Sequence, residues 1–215
     1  MRLKEYEIIK LRELFVEVLY RNLRDKKNIA MMLSSGVDSR TVAALLKYAG
    51  FNNVTCVTVD TVESSNSLVL STLLGYKHKV LEKLPEQKGK TKWICYKDQL
   101  KKYDVWVFGR GFNEIFKTNK RYKAPDINRL RERVKEYNEH IPYYAPLFDE
   151  RIISFVDGVR GDKEINHFYT CRDLIKCTYP MLLDVPTNTG LSMRKPDIIH
   201  RGIKWGCKKA GVKLR

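Results

Sequence analysis

Three polar loops hold the residue types that could do chemistry, at 34–39, 60–64 and 109–114. The first, Ser34-Ser35-Gly36-Val37-Asp38-Ser39, follows a short apolar run and precedes a helical pattern. Small residues let the backbone come close to a ligand, and Gly36 has access to angles closed to other residues. Amides that open the following helix point at any anion placed there, and the helix dipole adds to the attraction. Ser34, Ser35 and Ser39 supply hydroxyl donors. Asp38 is the odd member, because a carboxylate beside a phosphate cradle repels unless Mg2+ lies between them. This make-up suits a nucleoside triphosphate with magnesium. No Gly-Lys-Ser/Thr follows the first glycine, which excludes a Walker A loop. The plain alternative is a serine-rich turn whose Asp38 or Ser39 caps the helix.

The elements around these loops are those of an α/β protein. Ile8, Leu11, Phe15 and Val18 recur at helical spacing, which predicts a helix over 3–24. Asn28 to Leu33 reads as a buried strand, and a helix fits Arg40 to Tyr48, ending near Gly50. Val54 to Val59 is a second strand that runs into Asp60; a helix over 63–74 and a strand over 78–81 follow. Asp104 to Phe108 is a further strand, and it leads straight into Gly109-Arg110-Gly111. Strand, loop, helix, strand in repetition means a parallel sheet with crossover helices, whose ligands sit at the carboxyl ends of strands. All three polar loops fall at such ends. Beyond residue 121 the strand signal fades, helices are predicted over 126–140 and 149–159, and five prolines punctuate the rest. The first helix is expected to pack on one of the two halves.

At these residues the chain resembles a family. Ser34-Ser35-Gly36-Val37-Asp38-Ser39 is similar to the Ser-Gly-Gly-x-Asp-Ser signature of the PP-loop ATP pyrophosphatases. Within them the likeness leans to the synthetase domain of asparagine synthetases and β-lactam synthetases. Gly109-Arg110-Gly111-Phe112-Asn113-Glu114-Ile115-Phe116 resembles their Gly-x-Gly-x-Asp-Glu-Leu-Phe segment. Ala145-Pro146-Leu147-Phe148-Asp149 resembles a Pro-Leu-Leu-Asp segment, and Arg201-Gly202-Ile203-Lys204-Trp205-Gly206 a late Arg-x-Lys-x-Gly element. The motifs stand in the family's order from about residue 8 onward.

The resemblance implies ATP and Mg2+ as cofactors. It also implies a reaction in which a carboxylate or amide oxygen attacks the α-phosphorus and pyrophosphate leaves. Nucleotide contacts would come from Leu33, Ser34, Ser35, Gly36, Val37, Asp38 and Ser39, from Val57, Val59 and Asp60 beside the adenosine, and from Gly109 and Gly111. Asp38 and Asn113 would share the metal, and Asp38 and Lys204 would be the catalytic pair, with Lys204 facing charge that develops in the transition state. Ser35 stands where the family has Gly and Asn113 where it has Asp, while two residues separate Arg201 from Lys204 instead of one. Asparagine synthetases also carry an N-terminal glutaminase domain whose nucleophile follows Met1. Residue 2 here is Arg, so the nitrogen is expected from free ammonia, a substrate amine or a partner.

Composition narrows the classes further. The 215 residues carry 41 Lys plus Arg against 25 Asp plus Glu, a net charge of +16, while apolar content of 43% is that of a folded chain. Such a surface favours anionic partners. Basic residues concentrate at 77–102, 110–135 and 201–215, with Tyr122 and Trp205 nearby, a pattern compatible with contact to nucleic acid. Five cysteines without paired spacing argue against a zinc site or a disulfide framework, and the four histidines share no metal spacing. With no signal-peptide pattern and no apolar stretch long enough to span a bilayer, a cytoplasmic protein without a membrane partner is expected.

The sequence therefore predicts an α/β fold, a parallel sheet with flanking helices of the adenine nucleotide alpha-hydrolase kind, plus a helical C-terminal half. An ATP-binding part over 1–120 and a turn-rich part over 121–215 are expected to form one unit around a shared cleft. The function expected is an AMP-forming ligase that adenylates a carboxylate or amide oxygen of a small-molecule acceptor and passes it to ammonia or an amine. The alternatives are a PP-loop enzyme that modifies a nucleobase in tRNA or DNA, and a non-catalytic nucleotide-binding module.

Overall fold

Apolar runs of four to six residues, too short for helices and rich in Val, Ile and Met, build the centre of the sheet. In a computed structural model the chain is described over residues 1–60, 64–84, 93–116, 127–161 and 164–209. The strands are β1 (Ile29–Met32), β2 (Val54–Val59), β3 (Lys77–Leu81), β4 (Val105–Phe108) and β5 (Tyr143–Tyr144). Helices α1 (Glu5–Leu23), α2 (Val37–Tyr48), α3 (Ser64–Leu73), α4 (Lys97–Leu100), α5 (Phe112–Phe116), α6 (Ile127–Asn138), α7 (Glu150–Arg160), α8 (His167–Lys176) and α9 (Asp197–Lys209) complete the described elements, with short 3-10 turns at Ile94–Tyr96, Pro146–Phe148 and Pro180–Leu183.

The sheet is parallel throughout, in the order β3-β2-β1-β4-β5. Ile29 pairs with Val54 on one side and Val105 on the other, so β1 is central. A parallel sheet covered on both faces needs strands that are apolar all round, and every residue of β1 and β4 is buried. Alternation assigns the faces. Ile29, Met31, Val105 and Val107 enter one core with Leu11, Phe15 and Leu19 of α1; Ala30, Met32, Trp106 and Phe108 enter the other with Tyr137 of α6. Burying Phe15 or Leu11 completely is worth about 2 kcal/mol each.

The first core runs from Leu3 to Met193 and so draws on both halves of the chain. Helix α1 packs against α2 from the first half and α7 and α8 from the second, more than the single docking surface expected. Helix α2 ends as anticipated at Gly50 (φ 86°), where the Phe51 amide donates to Leu46 O and the Gly50 amide to Lys47 O, a Schellman closure. Two features depart from the sequence reading. Strand character does return beyond residue 121, in the two-residue β5, which pairs Tyr143 with Trp106. Helices α8 and α9 also form where only prolines and turns were legible. Among the described residues no helix is long and apolar enough to cross a membrane.

Candidate active site

The sheet order reverses between β1 and β4, and crossovers leave in opposite directions there. That junction is where open α/β sheets form a crevice. Both glycine-bearing loops open into it. Loop 33–36 leaves β1 and loop 109–111 leaves β4.

The β1 loop is closed by its own serines. The Ser34 amide donates to Ser39 Oγ (3.1 Å), Ser39 Oγ donates to Ser34 O (3.2 Å), the two hydroxyls lie 3.0 Å apart, and the Gly36 amide donates to Ser34 Oγ (3.2 Å). One proton arrangement satisfies all four, with Ser34 donating to Ser39. Before the loop, the Leu33 amide donates to Val57 O and its carbonyl accepts from Thr58 Oγ1. Helix α2 starts at Val37, so Val37, Asp38 and Ser39 form its first turn and their amides have no acceptor within the helix. The N-cap is Gly36, which has no side chain to cap with, and Asp38 and Ser39 follow it inside the helix. Gly36 also corrects an expectation: its φ of −67° is open to any residue. Its role is spatial, since a Cβ there would lie 3.2 Å from Ser34 Oγ.

Ser35 is fully buried, and its hydroxyl has no hydrogen-bond partner among the described residues. Its carbonyl accepts from Arg40 Nη2 (3.0 Å). Gly109 and Gly111 are required by contact. A Cβ on Gly109 would lie 2.4 Å from Ser39 Cα, and one on Gly111, already at φ 109°, 2.9 Å from Leu147 Cβ.

A cavity of about 180 Å³ opens where the two loops meet. Asp38, Gly109, Gly111, Asn113 and Glu114 line one side of it. Asp38 Oδ1 also receives the Cys171 thiol of α8 at 3.9 Å, and burial with that carboxylate pushes the thiol pKa well up. Tyr137, Tyr143 and Phe148 line the cavity too and make part of its wall aromatic. Tyr143 stacks on Phe108 (centroids 4.4 Å apart) and on Tyr137 (4.8 Å), and the Arg110 guanidinium lies 5.6 Å from the centre of the Tyr137 ring. Burial raises the Tyr143 phenol above its usual range. The sequence left Tyr143 and Tyr144 unassigned between cleft and packing, and β5 separates them: Tyr143 lines the cavity, whereas Tyr144 reaches Val18 O on the other face.

The structure therefore brings Asp38, Asn113, Gly109 and Gly111 to one cavity, with the serine loop beside them. Val57 and Val59 sit at the carboxyl end of β2 with buried side chains in the second core, and Asp60 beyond them is exposed. Lys204 lies in α9, but its side chain falls outside the described residues, as do Tyr122 and much of the basic stretches at 85–92, 117–126 and 210–215. Sequence reading missed Glu114, Tyr137 and Arg110 as lining residues, although Glu114 stands within a quoted motif. It also missed Arg40, whose partners are distant in the chain.

Over residues 10–83 the chain matches the family model Asparagine synthase, the likeness to which its motifs leaned. No curated protein matches the sequence. Among solved structures it is similar to NMN synthetase from Francisella tularensis, with 12% identity and a TM-score of 0.50 over 97% of this chain and 88% of that one. It is also similar to the NH3-dependent NAD synthetase from Campylobacter jejuni subsp. jejuni NCTC 11168, with 14% identity and a TM-score of 0.41 over 73% of this chain and 93% of that one. At these identities the first likeness speaks for the fold.

Proposed function

We propose that the protein is an AMP-forming, ATP-dependent ligase whose serine loop holds the β- and γ-phosphates. One observation carries the reading. The loop after β1 and the loop after β4, with Asp38, Asn113, Gly109 and Gly111, converge on a single cavity at the switch point of the sheet. The first-turn amides of α2 and the orphaned Ser35 hydroxyl suit a polyphosphate, and the carboxylate and amide oxygens of Asp38, Asn113 and Glu114 suit Mg2+. The ion would neutralise charge on the departing pyrophosphate.

In the reaction, a carboxylate or amide oxygen of the acceptor attacks the α-phosphorus as the bond to the β-phosphate oxygen breaks, releasing pyrophosphate. Ammonia or an amine then attacks the activated carbon, and AMP leaves with the oxygen. The chain's share is to orient the phosphates through loop 34–39 and the acceptor through the aromatic wall. Lys204 is assigned to charge stabilisation by its motif. Val57, Val59 and Asp60 would border the adenosine, through main chain where the side chains are buried. The parts over 1–120 and 121–215 are read as one unit because they share a core, and a cytoplasmic setting accords with the thiols at Cys56, Cys95, Cys171 and Cys177.

A nucleobase acceptor in tRNA or DNA is the second reading. It is favoured by the net charge of +16 and by a stacked Arg110–Tyr137–Tyr143 wall able to face a base. The deciding experiment incubates the protein with Mg-ATP labelled on the α-phosphate, with ammonium plus small carboxylates or with bulk tRNA. AMP and pyrophosphate are expected, lost in Asp38→Ala, and the stimulating mixture identifies the acceptor class; ADP as product would refute the reading.

A further inference from the structure

Arg40 is fully buried in α2, one turn after Gly36. Its guanidinium donates to four main-chain carbonyls: Nη1 to Leu182 O (2.9 Å) and Val185 O (2.7 Å), Nη2 to Ser35 O (3.0 Å) and Pro186 O (2.9 Å). Among the described residues no carboxylate pairs with it. Burial lowers its pKa to about 10, so it is still a cation at neutral pH. A buried charge without a counter-charge is tolerated only when closely hydrogen-bonded, and carbonyl dipoles meet that need in part. The result is a link between two segments far apart in the chain. On one side lies the Ser35–Gly36 peptide, whose carbonyl is held by Arg40 and whose amide is held by Ser34. On the other lies the 182–186 segment, whose continuation folds back through the Thr187 amide to Leu191 O and the Met193 amide to Leu183 O.

We propose that Arg40 is a positioning residue of the phosphate loop. It fixes the Ser35 carbonyl to the 182–186 segment, so the two order together, and it holds a buried positive charge one helical turn from the loop that favours a bound polyphosphate. The inference rests on the ATP-binding reading above and adds a second segment to the phosphate site. A lysine keeps the charge but cannot span four carbonyls, and a glutamine removes the charge.

The test uses the full chain and inorganic pyrophosphate with Mg2+. Calorimetry compares the wild type with Arg40→Lys and Arg40→Gln, each first checked for native thermal unfolding. Binding is expected to weaken about tenfold in Arg40→Lys and further in Arg40→Gln. In the wild type alone, which avoids any folding defect, pyrophosphate is expected to slow amide exchange both at 34–40 and at 183–193. Native-like variants that bind as the wild type does, or protection confined to 34–40, overturn the inference while leaving the ATP reading intact. A wild type that binds neither pyrophosphate nor ATP removes both.

Discussion

Gly109, where β4 ends, lies against the backbone of Ser39 in the first turn of α2. A single methyl on Gly109 would fall 2.4 Å from Ser39 Cα and 2.5 Å from its amide nitrogen. The obstacle is main chain on both sides, which no side-chain rotation relieves. Two loops that leave neighbouring strands are thereby held in register, and the cavity forms along their line of contact.

Gly109→Ala is therefore expected to force the loops apart. The overpacking would lower stability by about 1–3 kcal/mol, and ATP turnover would fall more than this loss of folded protein explains. Urea unfolding and AMP formation, measured on the same preparation, check both parts. Turnover equal to wild type would show that the contact is dispensable.

Asp38 and Asn113 line the same cavity, and the second brings one charge fewer than a carboxylate would. Asn113→Asp is expected to lower the Mg2+ concentration that gives half-maximal AMP formation, because affinity follows ligand charge. Asp38→Asn should cut the rate on the order of 10²-fold with little change in unfolding temperature. Chelation with EDTA should stop the reaction and added Mg2+ restore it. Identical magnesium curves for wild type and Asn113→Asp would remove residue 113 from the metal.

The Ser34–Ser39 network closes the loop without a ligand's help. Removing the hydroxyl in Ser39→Ala forfeits three of its contacts, each of a kind worth about 1 kcal/mol. The expected outcome is a raised KM for ATP with a smaller change in kcat, since the loop still forms but no longer holds one shape. A kcat loss with unchanged KM would place Ser39 in the chemical step instead.

His78 gives a pH dependence of stability. Its Nε2 meets Thr58 Oγ1 at 3.1 Å, and since that hydroxyl donates to Leu33 O, the imidazole is the donor. Partial burial lowers its pKa below the ordinary 6.5. The unfolded chain thus takes up a proton at higher pH than the folded one. Stability is complete above pH 6.5 and declines as pH falls from there through the lower folded value. Thermal unfolding between pH 7 and pH 5 should show a decline that His78→Gln reduces; parallel curves for the two proteins would contradict the assignment.

The sheet and the serine loop were legible because their signals are local. Asn28 to Leu33, the serine loop and the helix that Gly50 ends are contiguous, as are Val105 to Phe108 and the glycines after them. β5 was not, because two residues carry no period, and Tyr143–Tyr144 is a strand only through pairing with β4. Helix α8 had a readable start in Asn166, whose side chain accepts from the Phe168 and Tyr169 amides, with Phe168, Cys171, Leu174 and Ile175 as the buried stripe. Pro180, just past its end, gives that stretch the look of a turn. Arg40 could not be found from its neighbours, since nothing beside it in sequence forecasts four carbonyls near residue 185. Gly36 was singled out for a conformational freedom that its backbone angles do not use.

The reach of Arg40 also bears on how the chain is made. Its acceptors at Leu182, Val185 and Pro186 lie 142 to 146 residues downstream. A ribosome adding about 5–20 residues per second needs on the order of ten seconds to supply them. Until then the guanidinium has only the Ser35 carbonyl of its four acceptors within reach. The serine loop, encoded early, gains its tie to the 182–186 segment only after the last part of the chain has been made.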